Sequence, residues 1–402
     1  MIKRILYTLL IMFPVLASAQ INTDRVMAIG RNALYFEDYV LSIQYFNQVI
    51  NAKPYLSDPY FYRGLAKINL DDFQGAESDC SEAIERNPFV VSAYQVRGLA
   101  RIQQNNFAGA IEDYTKALEF DPENIGVWHN MALCRIRQED YKGAKNDLDK
   151  LIAISPRYTK AYLMRGEVDL KQKDTLAAEK DFGKAIEIDR YDADTWASRA
   201  ILRLQQQRYK DAEADFDHAI RLSTRNSGVY INRALARYHQ NNLRGAMSDY
   251  DIALDIDPNN FIGHYNRGLL RAQVGDDNRA IQDFNFVIEM EPDNMMAIFN
   301  RGLLLDQTGD YKGAIKDYST VINEYPNFLL GYQYRAQARR KIGDVKGADA
   351  DEFKVLKAQL DKQNGVDPNK QTADNTENNK TRKKSDKNMN NYRKIVVAED
   401  RK

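Results

Sequence analysis

A fixed step of 34 residues runs through the chain and limits what it can fold into more than any other feature. The stretch Ala297–Pro326 carries Gly302, Ala314, Tyr318 and Pro326, with Arg301 before the glycine and Asp317 before the tyrosine. One step back lie Gly268, Ala280, Phe284 and Pro292, with Arg267 and Asp283. Another step gives Ala234, Ala246, Tyr250 and Pro258, with Arg233 and Asp249. A period of this kind sets the architecture before any local feature does: each copy is one supersecondary unit that only its neighbours can bury.

Three rungs define the unit. The small-residue rung reads Gly30, Gly64, Gly98, Ala132, Gly166, Ala200, Ala234, Gly268, Gly302, Ala336. The second rung is Ser42 and then Ala76, Ala110, Ala144, Ala178, Ala212, Ala246, Ala280, Ala314 and Ala348. Gly or Ala at facing places lets two helix backbones approach closely. The third rung, Pro54, Pro88, Pro122, Pro156, Pro258, Pro292 and Pro326, ends the second helix, because proline cannot continue one. Arg190 and Thr224 interrupt that rung; either the join there is softer, or Asp189 and Ser223 make the stop instead. Apolar spacing inside a unit is helical, as in Tyr162, Gly166 and Leu170 followed by Ala178, Phe182, Ala185 and Ile186.

A charged ladder accompanies the rungs. Arg63, Arg97, Arg165, Arg199, Arg233, Arg267, Arg301 and Arg335 precede the small residue. Asp79, Asp113, Asp147, Asp181, Asp215, Asp249, Asp283, Asp317 and Asp351 precede the aromatic place. Arg and Asp on facing helices form charge-assisted hydrogen bonds, within or between units, that fix the register of otherwise similar helices.

On these residues the sequence resembles the tetratricopeptide repeat family, in which a helix–turn–helix unit has this period and an aromatic early in its first helix. Tyr60, Tyr94, Trp128, Tyr162, Trp196, Tyr230 and Tyr332 hold that place; Val26, His264 and Ile298 depart from it. The resemblance implies an all-α, right-handed α-solenoid of ten repeats: 23–56, 57–90, 91–124, 125–158, 159–192, 193–226, 227–260, 261–294, 295–328 and 329–362. In the last repeat Glu352 stands where an aromatic is expected and Phe353 falls one place late, so its second helix is expected to be a solvent cap.

The flanks read differently. In residues 1–19, Lys3 and Arg4 precede the apolar run Ile5–Leu16 and the small residues Ala17-Ser18-Ala19, the pattern of an export signal cleaved before Gln20. The run is short for a membrane span, no Cys follows the cleavage place, and the mature chain is expected in a bacterial periplasm or cell envelope. Residues 363–402 form an Asn/Lys-rich tail expected to be disordered, since it has too few large apolar residues to offset its ordering entropy. Within it Tyr392–Val397 regains strand-like character, suited to a sticky end or to the start of a further domain.

The overall charge balance, 57 basic against 57 acidic residues, gives no bulk attraction for nucleic acid. Cys80 and Cys134 fall in separate repeats and read as small buried hydrophobes. No HExxH, CxxC, P-loop or GxSxG occurs, and His129, His218, His239 and His264 fall in separate repeats without ligand spacing. The expectation is therefore a non-enzyme with no catalytic, metal or cofactor site.

A binding surface is expected on the first helices, which line the concave face in the family. Two places before the small rung stand Asn130, Asn232, Asn266 and Asn300, and five places after it stand Gln205, His239, Gln273 and Gln307. Amide side chains donate and accept, so such columns can pair with the backbone of an extended peptide. In chaperone-binding members of the family an Asn at the first of these places contacts peptide backbone. The lysine that clamps a terminal carboxylate in those members is replaced by Ile231, Tyr265 and Phe299. The expected function is a protein- or peptide-binding scaffold of the envelope. The alternatives are an envelope glycan binder with Tyr and Trp as platforms, or the non-catalytic part of a longer enzyme.

Overall fold

A computed structural model describes residues 22–222, 225–364, 389, 391–396 and 398. The expected export signal and most of the tail lie outside the described residues, as do Ser223 and Thr224. From Thr23 to Gln363 the described chain is built of paired helices, and it divides into two compact units in sequence between Asp189 and Arg190. That division falls at the first of the two places where the proline rung is broken.

The first unit holds α1 (Thr23–Tyr35), α2 (Tyr39–Ala52), α3 (Asp58–Ile68), α4 (Phe73–Arg86) and α5 (Val91–Gln103). It continues with α6 (Phe107–Phe120), α7 (Ile125–Arg137), α8 (Tyr141–Ile154), α9 (Thr159–Lys171) and α10 (Thr175–Ile188). The second unit holds α11 (Ala193–Gln205), α12 (Tyr209–Arg221), α13 (Ser227–His239), α14 (Leu243–Ile256) and α15 (Phe261–Gln273). Its remaining helices are α16 (Asp277–Met290), α17 (Met295–Thr308), α18 (Tyr311–Glu324), α19 (Leu329–Lys341) and α20 (Val345–Gln363). Odd-numbered helices open each repeat and even-numbered ones close it.

The turn inside each repeat follows one rule. One residue takes the left-handed conformation, from Glu37 (φ 64°) through Lys173 (66°) to Asn241 (61°), and then Gly275, Gly309 and Gly343. The next residue caps the second helix with its side chain, as Asp140 Oδ1 accepts from Gly143 N at 3.0 Å. Repeats six and eight depart: Arg208 and Asp276 occupy the cap place and make no such bond.

The small rung works by contact. A Cβ on Gly166 would sit 2.5 Å from Phe182 Cε1, so only a bare backbone allows the ring to lie flat on α9. Phe46, Tyr114, Phe182, Phe216, Tyr250, Phe284 and Tyr318 are all fully buried at that aromatic place. Cys80 and Leu148 fill it in repeats two and four, equally buried. Cys134 is buried as well. Burial pushes the Cys80 thiol up to about 12 and the Cys134 thiol up to about 11, which removes both as thiolate nucleophiles at neutral pH.

The charged ladder bonds both within and between repeats. Arg233 donates to Asp249 from Nε (2.9 Å) and Nη2 (2.6 Å), and reaches back to Asp217 of the preceding repeat from Nη1 (2.6 Å). Arg237, one turn later, adds a bond to Asp249 at 2.9 Å. Arg63, Arg97, Arg165, Arg199 and Arg335 also lie over the first-helix aromatic of their own repeat. Each guanidinium therefore ties together three elements, which explains its recurrence better than a ligand role does.

The last repeat is only partly the solvent cap that its sequence suggests. Glu352 is exposed and paired with Arg340, yet Phe353, Leu356 and Leu360 are exposed too. Phe353 is one residue away from the slot that buries its counterparts, and in a helix one residue is about a 100° rotation.

Candidate peptide-binding site

In the second unit the opening helices of successive repeats approach one another, α11 with α13, α15 with α17, and α17 with α19. Together α13, α15 and α17 make a face from which Asn232, Asn266 and Asn300 project. All three are buried, Asn266 completely. What covers them is the chain's own C-terminal segment.

The pairing is backbone to amide. Asn266 Nδ2 donates to the Val396 carbonyl at 2.7 Å and its Oδ1 accepts from Val396 N at 2.8 Å. Asn232 repeats this with Ala398, Nδ2 to carbonyl and N to Oδ1, both at 2.9 Å. Asn300 Nδ2 donates to the Tyr392 carbonyl at 2.6 Å, and Tyr265 Oη donates to the same oxygen at 2.7 Å. Burial raises the Tyr265 hydroxyl pKa, so the phenol keeps its proton and acts as a donor. Each two-point pair reproduces what a neighbouring β-strand offers a peptide, without asking for any particular side chain.

The segment descends the face against the repeat order, from repeat nine at Tyr392 through repeat eight at Val396 to repeat seven at Ala398. A turn closed by Lys394 N donating to the Asn391 carbonyl at 2.8 Å precedes its extended part. Tyr392 meets Phe299 edge to face at 4.8 Å between ring centres. Ile395 is buried in one apolar cluster with Tyr238 and Leu269, which line the same cavity. Met389 lies among Phe299, Leu330 and Tyr334. Arg393, Lys394 and Val396 remain exposed. Beside the segment lies a cavity of about 370 Å³ lined by Tyr238, Leu269, Gln273, Leu303, Gln307, Arg393 and Ile395 among others.

Comparison with known families agrees with the helix pairs. Tetratricopeptide-repeat profiles match residues 98–134, 125–158, 159–192, 198–261 and 265–327, more than half of the chain. The chain is a tetratricopeptide-repeat protein. Among solved structures it is similar to a tetratricopeptide repeat protein from Parabacteroides merdae at 21% identity, covering 62% of this chain and 98% of that one, with a TM-score of 0.48. It is also similar to YrrB, described as a TPR protein with an unusual peptide-binding site, at 20% identity, 46% and 95% coverage and a TM-score of 0.39. MamA from Desulfovibrio magneticus RS-1 is similar at 16% identity, with 42% and 96% coverage and a TM-score of 0.41. At these identities the likeness concerns the fold alone. A search of curated proteins returns no match.

Within this tetratricopeptide array the amide columns divide. Asn232, Asn266 and Asn300 converge on one bound segment. Gln273 and Gln307 line the cavity beside it, Gln273 accepting from Tyr238 Oη at 2.8 Å. His239 instead stacks on Tyr209 of the preceding repeat at 4.5 Å, and partial burial lowers its pKa. Gln205 is exposed at the end of α11. Asn130 belongs to the first unit, on α7, and is not among the residues that hold the segment.

Sequence reasoning missed Tyr265, Phe299 and Tyr238 as parts of the site. Ile231, Tyr265 and Phe299, noted only as substitutes for a clamp lysine, are buried and form an apolar floor.

Proposed function

We propose that this protein is a non-catalytic scaffold that binds an extended segment of a partner protein along α13, α15 and α17. Its place of action is the cell envelope of a bacterium. The observation that carries the binding reading is the two-point pairing of Asn266 and Asn232 with main-chain groups of a bound segment. Buried amides of this kind are costly unless paired, so a face that carries three in register is built for a peptide backbone. The envelope reading rests on the N-terminal pattern of Lys3, Arg4, an apolar run and Ala17-Ser18-Ala19. No helix among the described residues is long and apolar enough to cross a membrane.

The binding reading is tested by capture from envelope extract, with the C-terminal segment displaced by Ile395→Asp so that the face is open. The comparison is the same chain with Asn232, Asn266 and Asn300 all changed to Ala, after both show equal helicity by circular dichroism. Partners held by the first and lost by the second support the site; identical partner sets refute it. Location is tested by N-terminal sequencing of the chain recovered from fractionated cells. A start at Gln20 in the envelope fraction is expected, and a retained Met1 in the cytoplasm would overturn it.

A further inference from the structure

The segment that covers the amide ladder shows which side chains the face selects. Met389, Ile395 and Ala398 are buried, and Tyr392 is half-buried against Phe299, so every third residue from 389 to 398 turns toward the array. Between them Arg393, Lys394 and Val396 face outward. The occupants differ in size along the face. At the repeat-nine end Met389 and Tyr392 share a cluster with Phe299, Leu330 and Tyr334, so a large flexible group and an aromatic are what it holds. Tyr238 and Leu269 fit a branched aliphatic one in the middle. At Asn232 the occupant is small: Ala398 is buried in the same apolar cluster as Ile231, and its N–H and carbonyl both pair with the asparagine.

We propose that residues 389, 391–396 and 398 are a resident ligand of the array, bound in cis, and that they carry the recognition pattern of the site. That pattern is a large apolar residue, an aromatic, a branched aliphatic and a small residue at successive third positions. An outside partner binds by presenting the same pattern on a segment that makes the same turn before its extended part, and by displacing the resident one. The inference rests on the proposed peptide-binding role and deepens it.

Three observations support it together. The main-chain pairing is independent of side chain, so it supplies affinity to any extended segment, and the apolar spacing supplies the choice. The occupant belongs to the same chain, so binding in cis is intramolecular and an external segment competes only for the fraction of molecules whose face is open. Arg393 and Lys394 are exposed while Met389, Ile395 and Ala398 are buried, so apolar side chains rather than charge are what the face reads.

The test uses full-length protein and a fluorescent synthetic peptide with the sequence of residues 388–402, followed by anisotropy. Three chains are compared: native, Ile395→Asp, and Ile395→Asp combined with Asn266→Ala. The peptide is expected to bind the Ile395→Asp chain at least roughly tenfold tighter than the native chain, because the resident segment no longer competes. Adding Asn266→Ala removes two hydrogen bonds to the peptide backbone and weakens binding again by roughly tenfold or more. Peptides with the Tyr392 or Ile395 place changed to Ala or Asp lose binding, and one with the Arg393 and Lys394 places changed to Gln keeps it. Equal binding to native and Ile395→Asp chains, or binding to neither, overturns the proposal. So does a concentration-dependent dimer of the native chain that Ile395→Asp abolishes in light scattering, since the segment would then pass between copies. If the peptide fails while Asn-dependent envelope partners are captured, this inference falls and the scaffold reading stands. If the peptide binds as expected and no partner depends on the asparagines, the scaffold reading falls alone.

Discussion

Repeat four breaks the charged ladder in a way that can be measured. Met131 stands where eight of the repeats place an arginine, so Asp147 keeps only Arg135, which donates to its Oδ1 at 3.0 Å. Its other oxygen is buried with no hydrogen-bond partner. Asp147 is 3% exposed, and burial pushes its pKa from 3.8 to about 6 against the opposing pull of Arg135 and Lys150. A carboxyl held higher in the folded than in the unfolded chain stabilises least where it is ionised. Stability from this group is therefore lost as pH rises from about 4 to about 6 and stays lost above that. A rise of about two pKa steps corresponds to roughly 3 kcal/mol at neutral pH, as an upper bound. Met131→Arg supplies the missing fork, on the pattern of Arg233 and Asp249. The gain is smaller than the full penalty, because Met131 is itself buried and burial raises even the doubly paired Asp249. We expect Met131→Arg to add roughly 1–2 kcal/mol at pH 7.5 and almost nothing at pH 4. Urea unfolding at the two pH values measures this, with the slope of each transition checked because repeat arrays can unfold in parts. Equal stabilisation at both pH values, or none at either, would refute the reasoning, as would an Asp147 carboxyl that titrates near 4 by NMR.

Three other substitutions test the repeat's local rules. Lys173 holds a left-handed turn at φ 66°, so Lys173→Gly should stabilise the array by about 0.5–1 kcal/mol in chemical unfolding; a loss would show that its side chain contributes to the turn. Arg208→Asp should give α12 the cap that it lacks and add about 1 kcal/mol, and an unchanged midpoint would show that the end is already satisfied. Gly166→Val should destabilise by about 2 kcal/mol or more, because its Cβ would meet Phe182 at 2.5 Å; a neutral result would mean that α9 and α10 can separate without loss.

Much of the fold is legible because each repeat restates it. Gly166 needs to be small for the same reason as Gly98 and Gly302, so ten weak signals in one register become a strong one. The ladder of Arg and Asp was readable as register, but its reach into the preceding repeat was not, since Arg233 and Asp217 are related only once the helices stack. The three asparagines could be picked out by their spacing. Asn130, at the same place in its repeat, could not be told apart from them, because what separates it is the segment that reaches its three counterparts.

Sequence alone determined the helix–turn–helix unit, its period and the face on which amides recur, since these depend on residues within one repeat and its copies. Only the tertiary structure decided that Val396 and Ala398 lie on Asn266 and Asn232, about 130 and 166 residues away. A stretch that reads as short and strand-like has no partner of its own strand type nearby in the chain. It satisfies its backbone on side chains that the array gathers from three repeats, a match that no local pattern in either stretch encodes.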